Sequence, residues 1–350
     1  MEPAPRATIL VGENGQGKTN FLEAVYFLAT LKPLRAGRLA ELVRLGAERG
    51  QVAAAVEGPG GTRRVAVDVS AGSRAAFLDG KPQDRLEEYF QGLAAVCFSP
   101  DDLLLVKGGP ELRRRFLDRA AFNRWPAVLA EAREYVRALR SRNAALRAAS
   151  PDVEASFRGP LAWAGARLWR RRRDLVAELA PRVEAAYRAI SGPGAPMATI
   201  AYRTAAGIRT DATEEELSAR LSAALEARSD RDHDRGYTSV GPHVDDLSLS
   251  LGGQGARAFA SQGQQRALVL ALKIAEIENL RVVLGRPPLL LLDDVSSELD
   301  PEKNRFLLEY LRDLAGQAFL TTTDRRLLAA SAAPESVFYQ VRGGVLARAD

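Results

Sequence analysis

The sequence predicts an α/β fold in which a mixed β-sheet lobe is interrupted by an inserted, mainly helical lobe. Three observations predict it. A short apolar run at residues 7–11 leads through a glycine-rich turn into a periodic helical segment, as in an α/β unit. Residues 101–191 are rich in alanine, leucine and arginine, which favour helices. Far along the chain, residues 289–292 form another apolar strand.

The boundaries of the two lobes follow from where the helical pattern begins and ends. We expect residues 1–98 and 286–350 to form the sheet lobe and residues 99–285 to form the helical lobe. With 350 residues, 46% of them hydrophobic, the chain can bury a sizeable core. Its single cysteine, Cys97, excludes an internal disulfide. No apolar run has the length of a membrane span or the form of an export signal, so we expect a cytoplasmic protein without a membrane partner.

Several further elements are expected between these landmarks. Residues 51–78 alternate in polarity between glycines and end at an Asp79-Gly80 turn signal, which predicts antiparallel strands. Residues 94–98 predict a buried strand. Breaks in the helical lobe are expected at Pro126, Pro151 and Pro160. The remaining expected elements are strands at 197–202 and 247–251, a helix at 214–228 and a long amphipathic helix at 262–284.

The glycine-rich turn reads GENGQGKT over residues 12–19 and fits the pattern GxxxxGK[ST] without a gap. Glycines allow backbone conformations in which N–H groups and the positive end of the next helix converge on phosphates. Lys18 adds a positive charge, and the Thr19 hydroxyl is suited to ligate Mg²⁺. The pattern predicts an ATP-binding loop formed by Gly12, Glu13, Asn14, Gly15, Gln16, Gly17, Lys18 and Thr19.

Residues 289–294 read LLLLDD, a buried strand that ends in two carboxylates. An aspartate at this point can hold Mg²⁺, and the carboxylate beside it points to the other face, where an attacking water would lie. We therefore assign Asp293 to the metal and Asp294 to catalysis, together with Lys18. A surface turn after a core strand would produce the same letters. The phosphate loop upstream makes the catalytic interpretation the stronger one.

A third motif, SQGQQR over residues 261–266, opens the long helix predicted at 262–284. A serine cap beside a glycine leaves backbone N–H groups open to an anion. Taken alone, the motif indicates a capped helix. The carboxylate pair, however, is followed directly by SSELD over residues 296–300, and this order of motifs is informative.

The order of motifs resembles that of ATPases of the ABC class, in which the serine helix of one subunit completes the ATP site of another. More narrowly, several passages look like the RecF family of DNA-repair ATPases. They are VGENGQGKTNFLEAVYFLAT (11–30), FSPDDLLLVKGGPELRRRFLD (98–118), TSVGPHVDDL (238–247), SQGQQRALVLALKIAE (261–276) and LLLLDDVSSELD (289–300). The resemblance implies an ABC-type P-loop ATPase head.

The resemblance also implies roles for residues and partners. Ser261, Gly263 and Gln264 would act as a signature motif on the ATP of a partner subunit, and Asp300 would belong to the D-loop. The family likeness implies an ATP-dependent homodimer that binds single-stranded and gapped double-stranded DNA, hydrolyses ATP weakly in a DNA-dependent way, and places RecA with RecO and RecR. Family members carry further strands ahead of the loop, so we expect a misassigned start or a truncation here.

A cluster of arginines indicates a surface that faces a polyanion. Residues 112–173 contain 16 Arg and Lys against 5 Asp and Glu. Consecutive arginines wrap around a helix, so they cannot all face one duplex, and some must be solvated. The candidates for DNA phosphate contact are Arg113, Arg114, Arg170, Arg171, Arg172 and Arg173.

Two other functions stay open at this point. An ATPase subunit of an ABC transporter has the same order of motifs, but it predicts a glutamine after the strand at 94–98, where this chain has Ser99-Pro100. A hydrolytically impaired ATP-binding scaffold would also keep all three motifs. A cohesin-like ATPase is disfavoured because residues 101–262 contain no sustained heptad run.

Overall fold

In the computed structural model of the chain, the described residues are 1–35, 38–58, 61–83, 89–90, 93–294, 301–313, 316–326 and 335–349. The chain divides into two compact units. The first comprises Met1–Asp102 and Leu280–Asp350, and the second comprises Leu103–Asn279.

The elements follow one another along the chain as strands, then mostly helices, then strands again. They are β1 (Ala7–Val11), α1 (Lys18–Thr30), β2 (Arg49–Gly58), β3 (Gly61–Ser70), β4 (Arg74–Leu78), β5 (Lys81–Pro82), β6 (Ala95–Phe98), α2 (Leu104–Lys107), α3 (Pro110–Arg124), α4 (Val128–Arg147), α5 (Pro151–Ser156), α6 (Arg158–Ser191), β7 (Ala198–Arg203), α7 (Glu214–Glu226), α8 (Ser229–Arg235), β8 (Asp246–Leu251), β9 (Gln254–Gly255), α9 (Ala256–Phe259), α10 (Gln262–Leu284), β10 (Leu289–Leu292), α11 (Pro301–Asp313), β11 (Ala318–Thr322), β12 (Val337–Arg342) and β13 (Val345–Ala349).

The central sheet of the first unit has six strands in the order β13-β12-β1-β11-β10-β6. All neighbouring pairs are parallel except β12 with β13, so the sheet is mixed. The run of leucines in β10 suits a parallel strand buried on both faces. Because β1, β10 and β11 are parallel, the loops that follow them leave the same edge of the sheet, where ligands bind in such folds.

The antiparallel strands expected at residues 51–78 are confirmed as a second sheet of the first unit, in the order β2-β3-β4-β5. Its apolar side is formed by Val65, Val67 and Val69, which alternate with more exposed residues along β3. The expected mixed α/β architecture is therefore present.

The second unit is mainly helical, as expected, with a small antiparallel sheet in the order β7-β8-β9. The break expected at Pro160 lies instead at Phe157, between α5 and α6, and Pro160 itself lies in the first turn of α6, where the missing N–H has no intrahelical acceptor. The same helix continues through Pro181. Among the described residues, no helix has both the length and the apolar character to cross a membrane.

Candidate functional site

The predicted phosphate loop, residues 12–19, joins β1 to α1. A Cβ atom at Gly12 would lie 2.6 Å from the carbonyl oxygen of Val341, so only glycine allows β12 to pack against the loop at this point. Gly15 and Gly17 have φ angles of 78° and 97°, in the region that favours glycine. The conformation and packing of the loop backbone therefore explain why glycine occupies positions 12, 15 and 17.

Gln16 is held by the turn between β12 and β13. The Gly343 N–H donates to Gln16 Oε1 at 2.8 Å. The Gly344 N–H donates to the carbonyl oxygen of Gln16 at 2.9 Å. Both glycines have positive φ angles, as a tight two-residue hairpin turn requires. The side chain of Gln16 thus fastens the loop to this hairpin, whereas the side chains of Glu13 and Asn14 are exposed.

Lys18 lies folded onto its own loop and is only 6% exposed. Its Nζ donates to the carbonyl oxygens of Gly12, at 2.6 Å, and Glu13, at 2.9 Å. Burial lowers the pKa of Lys18 from its usual value, and the neighbouring carboxylates of Asp294 and Asp293 oppose that shift. The amine, the loop and the two acids predicted from separate motifs are therefore close together.

Asp293 directly follows β10 and is 3% exposed. Its Oδ1 accepts hydrogen bonds from the hydroxyls of Thr19, at 2.8 Å, and Thr321, at 3.0 Å. Its Oδ2 forms an ion pair with Arg35 at 3.3 Å. Thr321 and Arg35 are not among the residues predicted from the sequence.

Asp294 adopts a left-handed backbone conformation, with a φ angle of 49°. Aspartate and asparagine tolerate this region better than other residues with side chains. Its N–H donates to the hydroxyl of Thr321 at 2.9 Å, and the same hydroxyl donates to Asp293. One buried threonine thus fixes the backbone between the two acids.

The donor chemistry of this site fits ATP with Mg²⁺. Thr19 and Asp293 present hard oxygen atoms 2.8 Å apart, the type that Mg²⁺ takes together with phosphate oxygens. The start of α1 and the charge of Lys18 provide the complementary groups for a triphosphate.

The predicted signature residues begin α10. The Gln264 N–H donates to Ser261 Oγ at 3.3 Å, and the Ser261 N–H donates to Gln264 Oε1 at 2.8 Å, which is a reciprocal capping box. Ser261 and Gly263 are exposed. A Cβ atom at Gly263 would meet no atom of the described residues within 4 Å, so packing in the described structure does not require glycine there. The predicted D-loop residue, Asp300, lies outside the described residues.

Two of the arginines predicted to contact DNA are buried. Arg113, 7% exposed, forms a two-point ion pair with Asp246 at 2.7 and 2.9 Å. Arg172, 4% exposed, donates to the carbonyl oxygen of Pro242 at 2.6 Å and to Asp118 at 2.7 Å. The prediction is wrong for Arg113 and Arg172, because guanidinium groups enclosed by protein cannot reach a phosphate.

The other four candidates are more exposed, but each already has a partner inside the second unit. Arg114 donates to the carbonyl oxygen of Asp245 at 2.8 Å, Arg170 pairs with Glu214 at 3.3 Å, Arg171 pairs with Glu131 at 2.7 Å, and Arg173 donates to the carbonyl oxygen of Thr210 at 2.6 Å. Their contact with DNA stays a prediction.

We expect Arg172→Ala to lower the free energy of unfolding by about 3 kcal/mol, because it leaves buried acceptors without the hydrogen bonds that the guanidinium donates. Chemical denaturation of the purified variant measures this change. Arg170→Ala serves as the control, since the Arg170 side chain is 39% exposed and its pair with Glu214 should contribute less than about 1 kcal/mol. Equal losses in the two variants would contradict a structural role particular to Arg172.

Comparison with known proteins identifies the family. A family profile described as the RecF/RecN/SMC N terminal domain matches residues 1–345. The DNA replication and repair protein RecF of Anaeromyxobacter sp. (strain Fw109-5) is 73% identical to this chain, over 98% of it and 93% of the relative. RecF of Myxococcus xanthus (strain DK1622) is 55% identical, over 100% of this chain and 93% of the relative.

Solved structures agree with the sequence comparison. A structure of the recombination mediator protein RecF with ATP, in the RecFOR pathway, matches with a TM-score of 0.90 and 26% identity, over 100% of this chain and 93% of that one. The Smc head domain from Pyrococcus furiosus shares the fold alone, with a TM-score of 0.54 and 15% identity, over 100% of this chain and 91% of that one. The predicted resemblance is confirmed, and the chain belongs to the RecF family.

Proposed function

We propose that this chain is an ATP-dependent DNA-binding protein of recombinational repair and replication-fork maintenance. ATP joins two copies on DNA at a gap or at a junction of single and double strands, and slow hydrolysis releases them. With RecO and RecR, the dimer aids the loading of RecA. The relatives named DNA replication and repair protein RecF support the general role, and the solved structure of RecF with ATP supports the ligand.

The proposal of an ATP-dependent dimer rests on the exposed start of α10. Ser261 and Gly263 are accessible, and no described residue packs where a side chain at 263 would lie. A capped helix start with a glycine in its first turn favours an anion. The phosphate of an ATP bound to a second copy accounts for both features.

The groups around the phosphate loop are those that ATP hydrolysis requires. Thr19 and Asp293 would hold Mg²⁺, which neutralises charge on the phosphates when it is bound. Lys18 would exchange its bonds to the loop carbonyls for bonds to the terminal phosphates. Asp294, which has a left-handed backbone conformation, would orient the attacking water and accept its proton.

Sedimentation of the purified chain tests the dimer directly. We expect a monomer without nucleotide, a dimer with ATP and Mg²⁺, and tighter association when gapped DNA is added. The control omits Mg²⁺, which should remove most of the effect. A monomer under all of these conditions would rule out the ATP-dependent dimer.

Gly263→Asp provides a sharper test of the role of Gly263 in the partner's ATP site. An aspartate in the first turn of α10 should leave the free energy of unfolding equal or raise it by up to about 1 kcal/mol, because it replaces a flexible glycine and suits the helix dipole. The same carboxylate would repel a partner's phosphate, so the ATP-dependent dimer should disappear. The variant is first checked for ATP binding as a monomer. A normal dimer in Gly263→Asp would contradict action across the interface.

Membership of the RecF family sets aside the transporter subunit among the earlier alternatives. The impaired scaffold differs from our proposal in turnover alone. Measured phosphate release in the presence of DNA decides between them, and no release above that of a Lys18→Ala variant would favour the scaffold.

A further inference from the structure

Helix α4, Val128–Arg147, carries four exposed arginines along one face. The members of this arginine row are Arg133, Arg137, Arg140 and Arg147, with Ala144 exposed in the same line. At about 100° per residue, they fall within an arc of about 80° and extend over about 21 Å of helix. The opposite face of α4 is buried and includes Tyr135, Ala145 and Leu146.

The row differs from the other arginines of the same region. Twelve of the 16 arginines at residues 112–173 donate to a described acceptor or pair with one. The remaining four are the members of the row, which make no such contact with any residue that the structure describes. Even Glu134, on the same helix, pairs with Arg167 instead.

The lack of partners for the arginine row does not reflect a shortage of acceptors, because the other arginines of this region all find one. Each of those other arginines contacts a carboxylate or a carbonyl oxygen. The face of α4 has charge of one sign and no partner in the described part of the chain, which favours an anion outside this chain as its complement. Four guanidinium groups in line suit a ligand with regularly repeated negative charges.

We propose that the arginine row binds the phosphodiester backbone of duplex DNA. Each guanidinium can donate two hydrogen bonds to one phosphate. The length of the row corresponds to about six base pairs at about 3.4 Å per pair. Single strands are bound through aromatic platforms on which bases stack, and the only aromatic residue of α4, Tyr135, is 3% exposed. The inference rests on the proposed DNA-binding function and assigns a surface to it.

The salt dependence of binding tests this proposal. Fluorescence anisotropy with a labelled duplex and, separately, with a labelled single strand, in ATP and Mg²⁺, is measured over a series of salt concentrations. Arg137→Ala combined with Arg140→Ala removes two phosphate contacts, which should reduce the slope of log K against log salt by about 2. Affinity at low salt should fall on the order of 10- to 100-fold.

Two pairs of control substitutions distinguish the loss of the arginine row from a loss of net charge, and sedimentation distinguishes it from a loss of folding. Arg44→Ala with Arg203→Ala removes the same charge from two exposed positions outside α4 and should leave the slope nearly unchanged. Arg137→Lys with Arg140→Lys keeps the charge and should keep most of the slope. Sedimentation with ATP confirms that the Arg137→Ala, Arg140→Ala variant is folded and still dimerises.

The outcomes distinguish the row from the wider proposal. A smaller slope in the α4 alanine pair alone supports the row. An unchanged slope in that pair, with normal ATP-dependent DNA binding by the unmodified chain, overturns the row and leaves the proposed function standing. Equal losses in both alanine pairs, or a loss confined to single-stranded DNA, also overturn it. No DNA binding by the unmodified chain overturns both proposals.

Discussion

Lys18→Ala should weaken ATP binding by about 100-fold or more and abolish ATP-dependent retention on DNA. The side chain is buried against the loop, and its amine, which donates to the carbonyl oxygen of Gly12, would supply a positive charge to a bound triphosphate. A hydrogen bond to a charged group contributes about 1.5–3 kcal/mol, and Lys18 can make two of them to the terminal phosphates. Titration with a fluorescent ATP analogue measures the affinity.

The same substitution also removes the donor to the carbonyl oxygens of Gly12 and Glu13, so damage to the loop must be separated from a lost phosphate contact. Adenosine supplies the control, because it binds without phosphates. We expect its affinity to stay within a few-fold of that of the unmodified chain. An equal loss of affinity for adenosine and for ATP would indicate that the substitution disrupts the loop itself.

Asp294→Asn should reduce ATP turnover by about 100-fold or more while ATP binding persists, so that the dimer accumulates on DNA. General-base catalysis typically contributes a factor of about 100 to 10,000, and the amide cannot accept the proton. Asparagine tolerates the left-handed backbone seen at this position, where φ is 49°, so the fold should be retained. Phosphate release and sedimentation together measure both expectations.

Asp293→Asn is the matched control for this variant, since it changes the neighbouring acid by the same atoms. Asp293 accepts the Thr19 and Thr321 hydroxyls, so its loss should weaken Mg²⁺-dependent ATP binding and should not trap the dimer. Normal turnover in Asp294→Asn would remove Asp294 from the role assigned to it. Identical behaviour of the two variants would show that Asp293 and Asp294 do not have the separate metal-binding and catalytic roles assigned to them.

Local patterns predicted the elements whose cause is local. The apolar periodicity gave β1 and α10 their observed bounds, and the LLLLDD run located β10 and both acids. The phosphate loop followed from its glycines, each of which has a backbone reason in the structure. These predictions succeed because a strand, a cap or a tight turn is determined mostly by residues close in sequence.

The missed parts depend on contacts between distant segments. Thr321 sits in an apolar-looking strand, and only its pairing beside β10 brings its hydroxyl to Asp293. The Gly343-Gly344 pair is a hairpin signal, yet nothing local indicates that this hairpin holds Gln16. The consecutive arginines at 170–173 looked like the stronger DNA surface. The structure binds them internally and leaves the spaced arginines of α4 exposed, because exposure depends on what packs beside a helix.

The strand order of the central sheet has a consequence for biosynthesis. β1 lies between β11 and β12, and Ala7 pairs with Ala318, so β1 is synthesised long before either of its neighbours in the sheet. The helical unit, Leu103–Asn279, is continuous and is complete before those neighbours are made. A nascent chain can therefore form its helical unit before the sheet that holds its nucleotide site is complete. During that interval β1 lacks both neighbouring strands, and we expect this long-range pairing to slow folding and to leave apolar surface exposed in the growing chain.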